Sequence, residues 1–347
     1  MFRFFNKEHH ESGRVISREQ ARLFMKGDPN AIRNLHHRFN TNDNENIGFE
    51  QIPCGYCWAC RLNYSAEWAT RLTLEAQKSE HNYFITLTYD DEHLPILNWI
   101  RTKDGEKYEN DGTWLTGSLV PEDMTRFIKT LRKHYERRGH TKIKYFYCGE
   151  YGSAEKTCRP HYHMILLNCP LDIEEFYDTE IDENFKAHWK SRQLEQWWPH
   201  GIVDVAEVEW SSAAYVARYC MKKLGTRQDD YIYYEHGKLP EFIRMSKGIG
   251  TDYLSKHMQE IYENDELIMK TFQGNVGIYK PPKAFDRKFK ELYPEQFELI
   301  QESRRKAADR ARTLKQELTD YTDQKLLELE REKVLTKAKM LPRAAIE

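Results

Sequence analysis

Two histidines flank a single residue in RPHYHMILLN, at His161 and His163, within a run that is otherwise apolar and aromatic. Such a run reads as a β-strand. Side chains alternate between faces along a strand, so the two imidazoles point one way and Tyr162 the other. Neutral imidazoles aimed together suit a divalent cation and leave coordination positions open for a substrate. A lone strand histidine is more often a surface or satisfied core residue, and it is the pairing that points to ligation. A third ligand should be a carboxylate. Glu150, in CGEYG at the end of the preceding strand, is the nearest in sequence, and antiparallel pairing of the two strands would bring it beside His161. Its alternative role is a turn or cap carboxylate, and Glu155 and Asp204 are reserves.

A second constellation lies in AYVARYCMKKL, which reads as a helix carrying Tyr215 and Tyr219 four residues apart, each followed three residues later by a cation, Arg218 or Lys222. Residues at i and i+4 share a helical face, so both phenols would face one neighbour. A divalent ion polarises a phosphodiester, and a phenolate is a competent nucleophile at phosphorus. Phenol ionises only near pH 10, and Arg218 and Lys222 are placed to favour the phenolate or to stabilise transition-state charge. Attack would leave a 5′-phosphotyrosine and a free 3′-hydroxyl. Two tyrosines permit two alternating transfers without release of the DNA. Tyrosines at this spacing are also ordinary core residues; their company with the histidine pair tips the reading toward chemistry.

The surrounding elements give an order. RLNYSAEWATRLTLEAQKSE has helical period, with Leu62, Trp68, Leu72 and Ala76 as its apolar members, and NYFITLTY reads as a strand. The segment from Ile96 to Gly117, with KDG and NDG turn signals, reads as a surface hairpin or long loop. PEDMTRFIKTLRKHYERRG opens with Pro then acids, carries an apolar stripe at Met124, Phe127, Ile128, Leu131 and Tyr135, and stops at Gly139. Two strands follow, IKYFYCGEYG and HYHMILLN. DIEEFYDTEIDENFKAHWKSRQLEQWW reads as helical in its second half, and GIVDVAEVEW as a fourth strand. The order β-α-β-β-α-β predicts an α+β protein with a ferredoxin-like, split-βαβ antiparallel sheet backed by helices, plus a C-terminal helical tail. The expected organisation is an unassigned region 1–50, a Cys-rich turn and helix at 51–80, the core at 81–225, an extension at 226–285 and a charged tail at 286–347 without a dense apolar stripe.

Composition limits the classes. The 347 residues suffice for a sizeable core. Mean hydropathy is −0.83, and no stretch approaches the ~20 apolar residues of a membrane span. The N-terminus lacks the apolar region of a secretory signal, which predicts a cytoplasmic protein. A net charge of −2 carries no global mark of a nucleic-acid partner, but Arg126, Lys129, Arg132, Lys133, Arg137, Arg138, Lys142 and Lys144 outnumber the acids between Pro121 and Lys144. That surplus is either a solvated helix face or a phosphate-binding one. Cys54, Cys57 and Cys60 have metal-type spacing. Structural zinc takes four ligands, so His36 or His37 would have to complete it; a reduced, metal-free turn and an iron–sulfur site stay open.

The blocks PCGYCWACRLNYSAEWATR, FITLTYDDEHLP, CGEYG with RPHYH, SAAYVARYCMKK and EFIRMSKGIGTDY, in that order, resemble the replication initiators of gokushovirus-type microviruses, members of the two-tyrosine HUH endonuclease superfamily. The likeness covers most of the chain from Pro53 to Tyr253 and is absent from residues 1–50 and the insert between Leu97 and Thr116. It implies a rolling-circle initiator that nicks and rejoins single-stranded origin DNA, uses Mg²⁺ or Mn²⁺ at His161, His163 and Glu150, and works in the cytoplasm of an infected bacterium. The implied partners are circular single-stranded or supercoiled phage DNA and a host helicase and polymerase, with no membrane. Tyr219, with Lys222 three residues on, resembles the YxxK form of single-tyrosine initiators and is expected to make the first nick, Tyr215 the second transfer. Arg126, Lys129, Arg132, Lys133, Arg159, Lys223, Arg244 and Lys247 are the expected DNA contacts. The competing readings are a related transposase or relaxase, and a non-catalytic zinc-stabilised DNA-binding module using basic and aromatic side chains.

Overall fold

In the computed structural model the described residues are 2–6, 14–16, 23, 27–39, 47–51, 58–96, 99–101, 107–109, 117–140, 142–152, 159–182, 186–208, 238–270, 275–319, 321 and 323–340. The chain divides into two compact units, Met1–Cys60 and Arg61–Glu347. In the first unit β1 (Phe2–Asn6) pairs with β2 (Arg14–Ile16) and β3 (Ile47–Gln51), both antiparallel. Helix α1 (Pro29–Phe39) starts at Asp28, whose carboxylate accepts hydrogen bonds from the Asn30 and Ala31 amides, satisfying donors that have no partner within the helix.

The second unit is built on a seven-stranded sheet. Helix α2 (Trp58–Ala76) leads into β4 (Tyr83–Tyr89). A small antiparallel hairpin, β5 (Trp99–Arg101) with β6 (Lys107–Glu109), follows where turn signals predict one. Helix α3 (Pro121–Glu136) begins with Pro121 and two acids and buries Met124, Phe127, Ile128, Leu131 and Tyr135, the stripe its spacing predicts. Next come β7 (Lys144–Tyr151), β8 (Pro160–Leu167), β9 (Phe176–Ile181), β10 (Ala187–Ser191), α4 (Arg192–Trp197), β11 (Gly201–Glu207) and β12 (Phe242–Met245). Their order across the sheet is β12-β7-β8-β4-β11-β10-β9, and every neighbouring pair is antiparallel. The inner four strands, with α3 between β4 and β7 and α4 before β11, form the split-βαβ, ferredoxin-like unit.

One segment departs from expectation. The run 172–198 is not helical in its second half: FYDTEI and AHWKS pair as the β9–β10 hairpin, and only Arg192–Trp197 is helical. Its charged residues mimic an exposed helix, but β10 pairs with the edge of β11, and cross-strand pairing overrides local preference there.

The two faces of the sheet bury different cores. Tyr162, Leu87, Val203 and Val205 pack beneath α3 and α4 with Phe127, Leu131, Leu194 and Trp198. On the other face Phe84, Phe146, Ile165 and Leu167 pack against Trp68, Leu72 and Ala76 of α2. A third cluster joins Leu74 of α2 to α5 (Thr251–Asn264), to the hairpin β13 (Leu267–Lys270) and β14 (Val276–Tyr279), to α6 (Lys283–Leu292) and to the start of α7 (Pro294–Glu317). Phe285, Phe289 and Phe297 are buried there, so the charged tail begins with a docked aromatic seam. Most of α7 beyond it is exposed, and α8 (Asp323–Met340) follows.

Candidate metal centre

The antiparallel register of β7 and β8 places Glu150 opposite His161 and Cys148 opposite His163. Alternation along β8 turns both histidines onto the face that α2 partly covers. Tyr162 goes to the other face, where its hydroxyl donates to the Val120 carbonyl and accepts from the Val120 amide. Glu150 and His163 are buried and His161 is half-buried. One Glu150 carboxylate oxygen lies 2.7 Å from His163 Nε2 and 3.4 Å from His161 Nε2. The imidazole rings stand 4.9 Å apart at 81° to each other. The three donor atoms lie within 4.8 Å of one another.

The hydrogen-bond partners of the rings set which nitrogens face inward. His161 Nδ1 lies 2.9 Å from the Arg159 carbonyl oxygen, which can only accept, so Nδ1 carries the proton and Nε2 of the neutral ring is a lone pair. His163 Nδ1 lies 3.0 Å from Thr86 Oγ1, and its ring stacks on Phe84 at 5.4 Å and 24°. Both Nε2 atoms therefore converge on the Glu150 carboxylate, neither of whose buried oxygens has a donor in good hydrogen-bond geometry. Two lone pairs and a buried carboxylate turned on one another repel unless a cation or proton lies among them. Nitrogen and oxygen donors of this kind fit a divalent ion, with the remaining hydrogen-bond partners acting as its outer shell.

Burial alone would push the Glu150 carboxyl up, but His163 and His161 outweigh it and hold Glu150 below its ordinary range. Against the cost of burying an imidazolium, hydrogen bonding to Glu150 and its charge raise His161. Another acid contributes that the sequence did not single out. Glu241, 2% exposed, immediately precedes Phe242, which pairs with Gly149. Its Oε1 accepts from the Tyr151 amide at 3.1 Å, and its charge adds to the rise at His161. Thr86 was likewise missed; the one sequence signal was its parity in FITLTY, which puts it on the histidine face.

The other expected site residues fall in several places. Tyr215, Tyr219, Arg218, Lys222 and Lys223 lie outside the described residues, as do Cys54, Cys57 and Glu155. Cys60 is on α2. Asp204 does not join the cluster: its carboxylate lies 2.8 Å from His188 Nδ1. Arg126, Lys129 and Lys133 are exposed on α3, which backs the face opposite the histidines. Arg132 of the same helix donates to the Ile143 carbonyl and to Ser246 Oγ. Arg244 lies over the Phe242 ring, and Lys247 is exposed in the turn before α5. The Arg159 guanidinium donates to the Tyr89 carbonyl at 2.7 Å and to Asp91, tying the loop after β4 to the start of β8. Among the described residues no helix is long and apolar enough to cross a membrane.

An antiparallel split-βαβ sheet with paired histidines on an inner strand is the fold of the HUH class. Residues 82–224 match the family model for Replication-associated protein ORF2. The chain is 38% identical over 292 residues to Replication-associated protein ORF2 of Spiroplasma virus 4, covering 82% of this chain and 83% of that relative. It is 31% identical over 254 residues to Replication-associated protein VP4 of Bdellovibrio phage phiMH2K, covering 71% and 70%. To Replication-associated protein ORF4 of Chlamydia phage 1 it is 28% identical over 233 residues, covering 66% and 52%. The chain belongs to this family of microvirus replication-associated proteins. No solved structure matches it.

Proposed function

We propose that the protein initiates rolling-circle replication of a phage genome by cutting and rejoining single-stranded origin DNA through tyrosine. The observation that carries this reading is the convergence of Glu150, His161 and His163, with His161 Nδ1 and His163 Nδ1 already engaged outward. The relatives' shared name, replication-associated protein, supports the role in replication. A Mg²⁺ or Mn²⁺ ion held by these three side chains would supply Lewis-acid polarisation of a phosphodiester. Thr86 and the Arg159 carbonyl fix the rings that hold it, and α2 with Phe84 keeps the inner side of the cluster dry.

In the reaction the phenolate oxygen of Tyr219 bonds to phosphorus as the bond from phosphorus to the 3′-oxygen breaks. The tyrosine proton is lost and the departing 3′-oxygen takes one up, leaving a 5′-phosphotyrosine and a 3′-hydroxyl that a host polymerase extends while a host helicase opens the duplex. Tyr215 accepts the second transfer, so the DNA is never released, and Arg218 and Lys222 offset the phenolate and transition-state charge. Incubation with internally labelled circular single-stranded DNA and Mn²⁺ is expected to give a denaturation-resistant adduct that His161→Ala abolishes. An adduct that survives replacement of both Tyr215 and Tyr219 by Phe would rule the mechanism out. Tyr219→Phe alone is expected to remove first-round cleavage, and normal nicking by that variant would reverse the order.

A further inference from the structure

A second site lies away from the histidine cluster, beyond α2 on the same side of the sheet. A cavity of about 240 Å³ opens between α2, α5 and α6, with Arg71, Arg287 and Lys288 on its walls and Thr251 and Phe285 among its other lining residues. It falls below the roughly 300–1,000 Å³ of pockets that enclose small organic ligands, and its polar lining suits a compact anion. The one lining acid, Glu291, is paired with Lys288 at 3.2 Å, which leaves two guanidinium groups without a carboxylate of the cavity to offset them.

Arg71 is fixed in place. Its guanidinium lies 4.1 Å over the Trp68 ring, and its Nε donates to the Ile249 carbonyl at 3.1 Å. Burial and the facing Arg287 hold it below its ordinary value, in spite of Glu67 and Glu75 nearby. The loop that leads to the cavity is pinned along its length. The Ser246 amide donates to the Tyr145 carbonyl, Lys144 Nζ donates to the Gly248 carbonyl, and the Gly250 amide donates to Glu75 at 2.7 Å. Gly250 has φ 76°, and a β-carbon there would meet the Arg71 carbonyl oxygen at 3.2 Å, so only glycine fits both the backbone and the space. Two arginines held apart from their own carboxylates, beside a rigid loop and the first turn of α5, form a preorganised anion cradle.

We propose that this cavity binds a phosphate group, that of single-stranded DNA running past the cluster, as an anchoring point separate from the site of cleavage. Its link to DNA rests on the proposed function; the phosphate chemistry does not. The test is equilibrium binding of a fluorescein-labelled single-stranded oligonucleotide to the full-length protein in EDTA, where metal-dependent cleavage is silent, so that failure of the nicking reading leaves the measurement intact. Arg287→Glu with Lys288→Glu, both exposed, is expected to weaken binding at least tenfold and to lower the slope of log K against log salt by about 0.7 per lost phosphate contact. Matched reversals Lys306→Glu and Arg310→Glu on exposed α7 are expected to do much less. Unchanged affinity and slope in the cavity variant, or an equal loss in the α7 variant, would overturn the proposal. Saturable calorimetric binding of inorganic phosphate, lost in the cavity variant while oligonucleotide affinity stays unchanged, would overturn the DNA assignment and leave a free phosphate as the ligand.

Discussion

Thr86→Val exchanges a hydroxyl for a methyl group at the residue that engages His163 Nδ1 at 3.0 Å. The ring itself should stay in place, because Phe84 stacks against it and the side chain is only 5% exposed. What is lost is the bond that keeps the proton on Nδ1 and the lone pair on Nε2. A net hydrogen bond contributes about 1 kcal/mol, which sets a floor of roughly fivefold in metal affinity. Removing an outer partner of a ligating histidine typically costs about 10–100-fold, or about 1.4–2.7 kcal/mol. Mn²⁺ binding followed by calorimetry or by loss of the free-ion EPR signal should therefore show Kd rising about tenfold or more. Urea unfolding without metal should change by less than about 1 kcal/mol, since Thr86 is half-buried and β4 remains paired on both sides. A Kd within threefold of the parent, with the fold intact, would show that the Thr86 contact does not orient a metal ligand.

Glu75 is 1% exposed and accepts from Lys78 at 2.7 Å, Lys144 at 3.0 Å and the Gly250 amide at 2.7 Å. Glu75→Gln should destabilise the protein by about 2–3 kcal/mol, below the roughly 3–5 kcal/mol of a fully buried broken pair because both lysines keep contact with water. A chemical denaturation midpoint equal to the parent's would count against the hub. Burial raises the Glu75 carboxyl, but its hydrogen bonds to Lys78, Gly250 and Lys144 lower it further, for a net depression. Its stabilisation is thus complete above the unfolded value of about 4.3 and is lost as pH falls through the lower folded value. The Gln variant should lack that acid limb, and parallel pH–stability curves would contradict the assignment. Arg304 Nε donates to Asp265 at 2.7 Å and its Nη1 to Asp286 at 2.8 Å. Arg304→Ala should cost about 1–3 kcal/mol and speed hydrogen exchange in α7 while leaving β4 and β8 protected; uniform acceleration would mean that α7 is not a separately docked element.

The metal cluster was legible because its geometry is nearly local. A period of two puts His161 and His163 on one face, and a strand–loop–strand order left Glu150 within reach through antiparallel pairing. The amphipathic α3 was legible for the same reason, since its stripe repeats every turn. Where residues meet by long-range pairing, the reading failed or was silent. The β9–β10 hairpin was mistaken for a helix because its partner strand, not its own pattern, holds it flat. Thr86 and Glu241 were passed over because they meet the cluster only through the order of strands across the sheet.

Chain order and side-chain alternation thus determined, from sequence alone, the split-βαβ arrangement and the shared direction of the two imidazoles. Tertiary structure decided which nitrogens face inward, since the Arg159 carbonyl and Thr86 reach the rings only once β8 is set against its neighbour β4. It also decided that the basic face of α3 lies across the sheet from the histidines, and that Arg71 and Arg287, 216 residues apart in the chain, wall one cavity. Periodicity is a property of a single element, whereas charge placement and ring orientation depend on which elements pack together, and no local pattern encodes that.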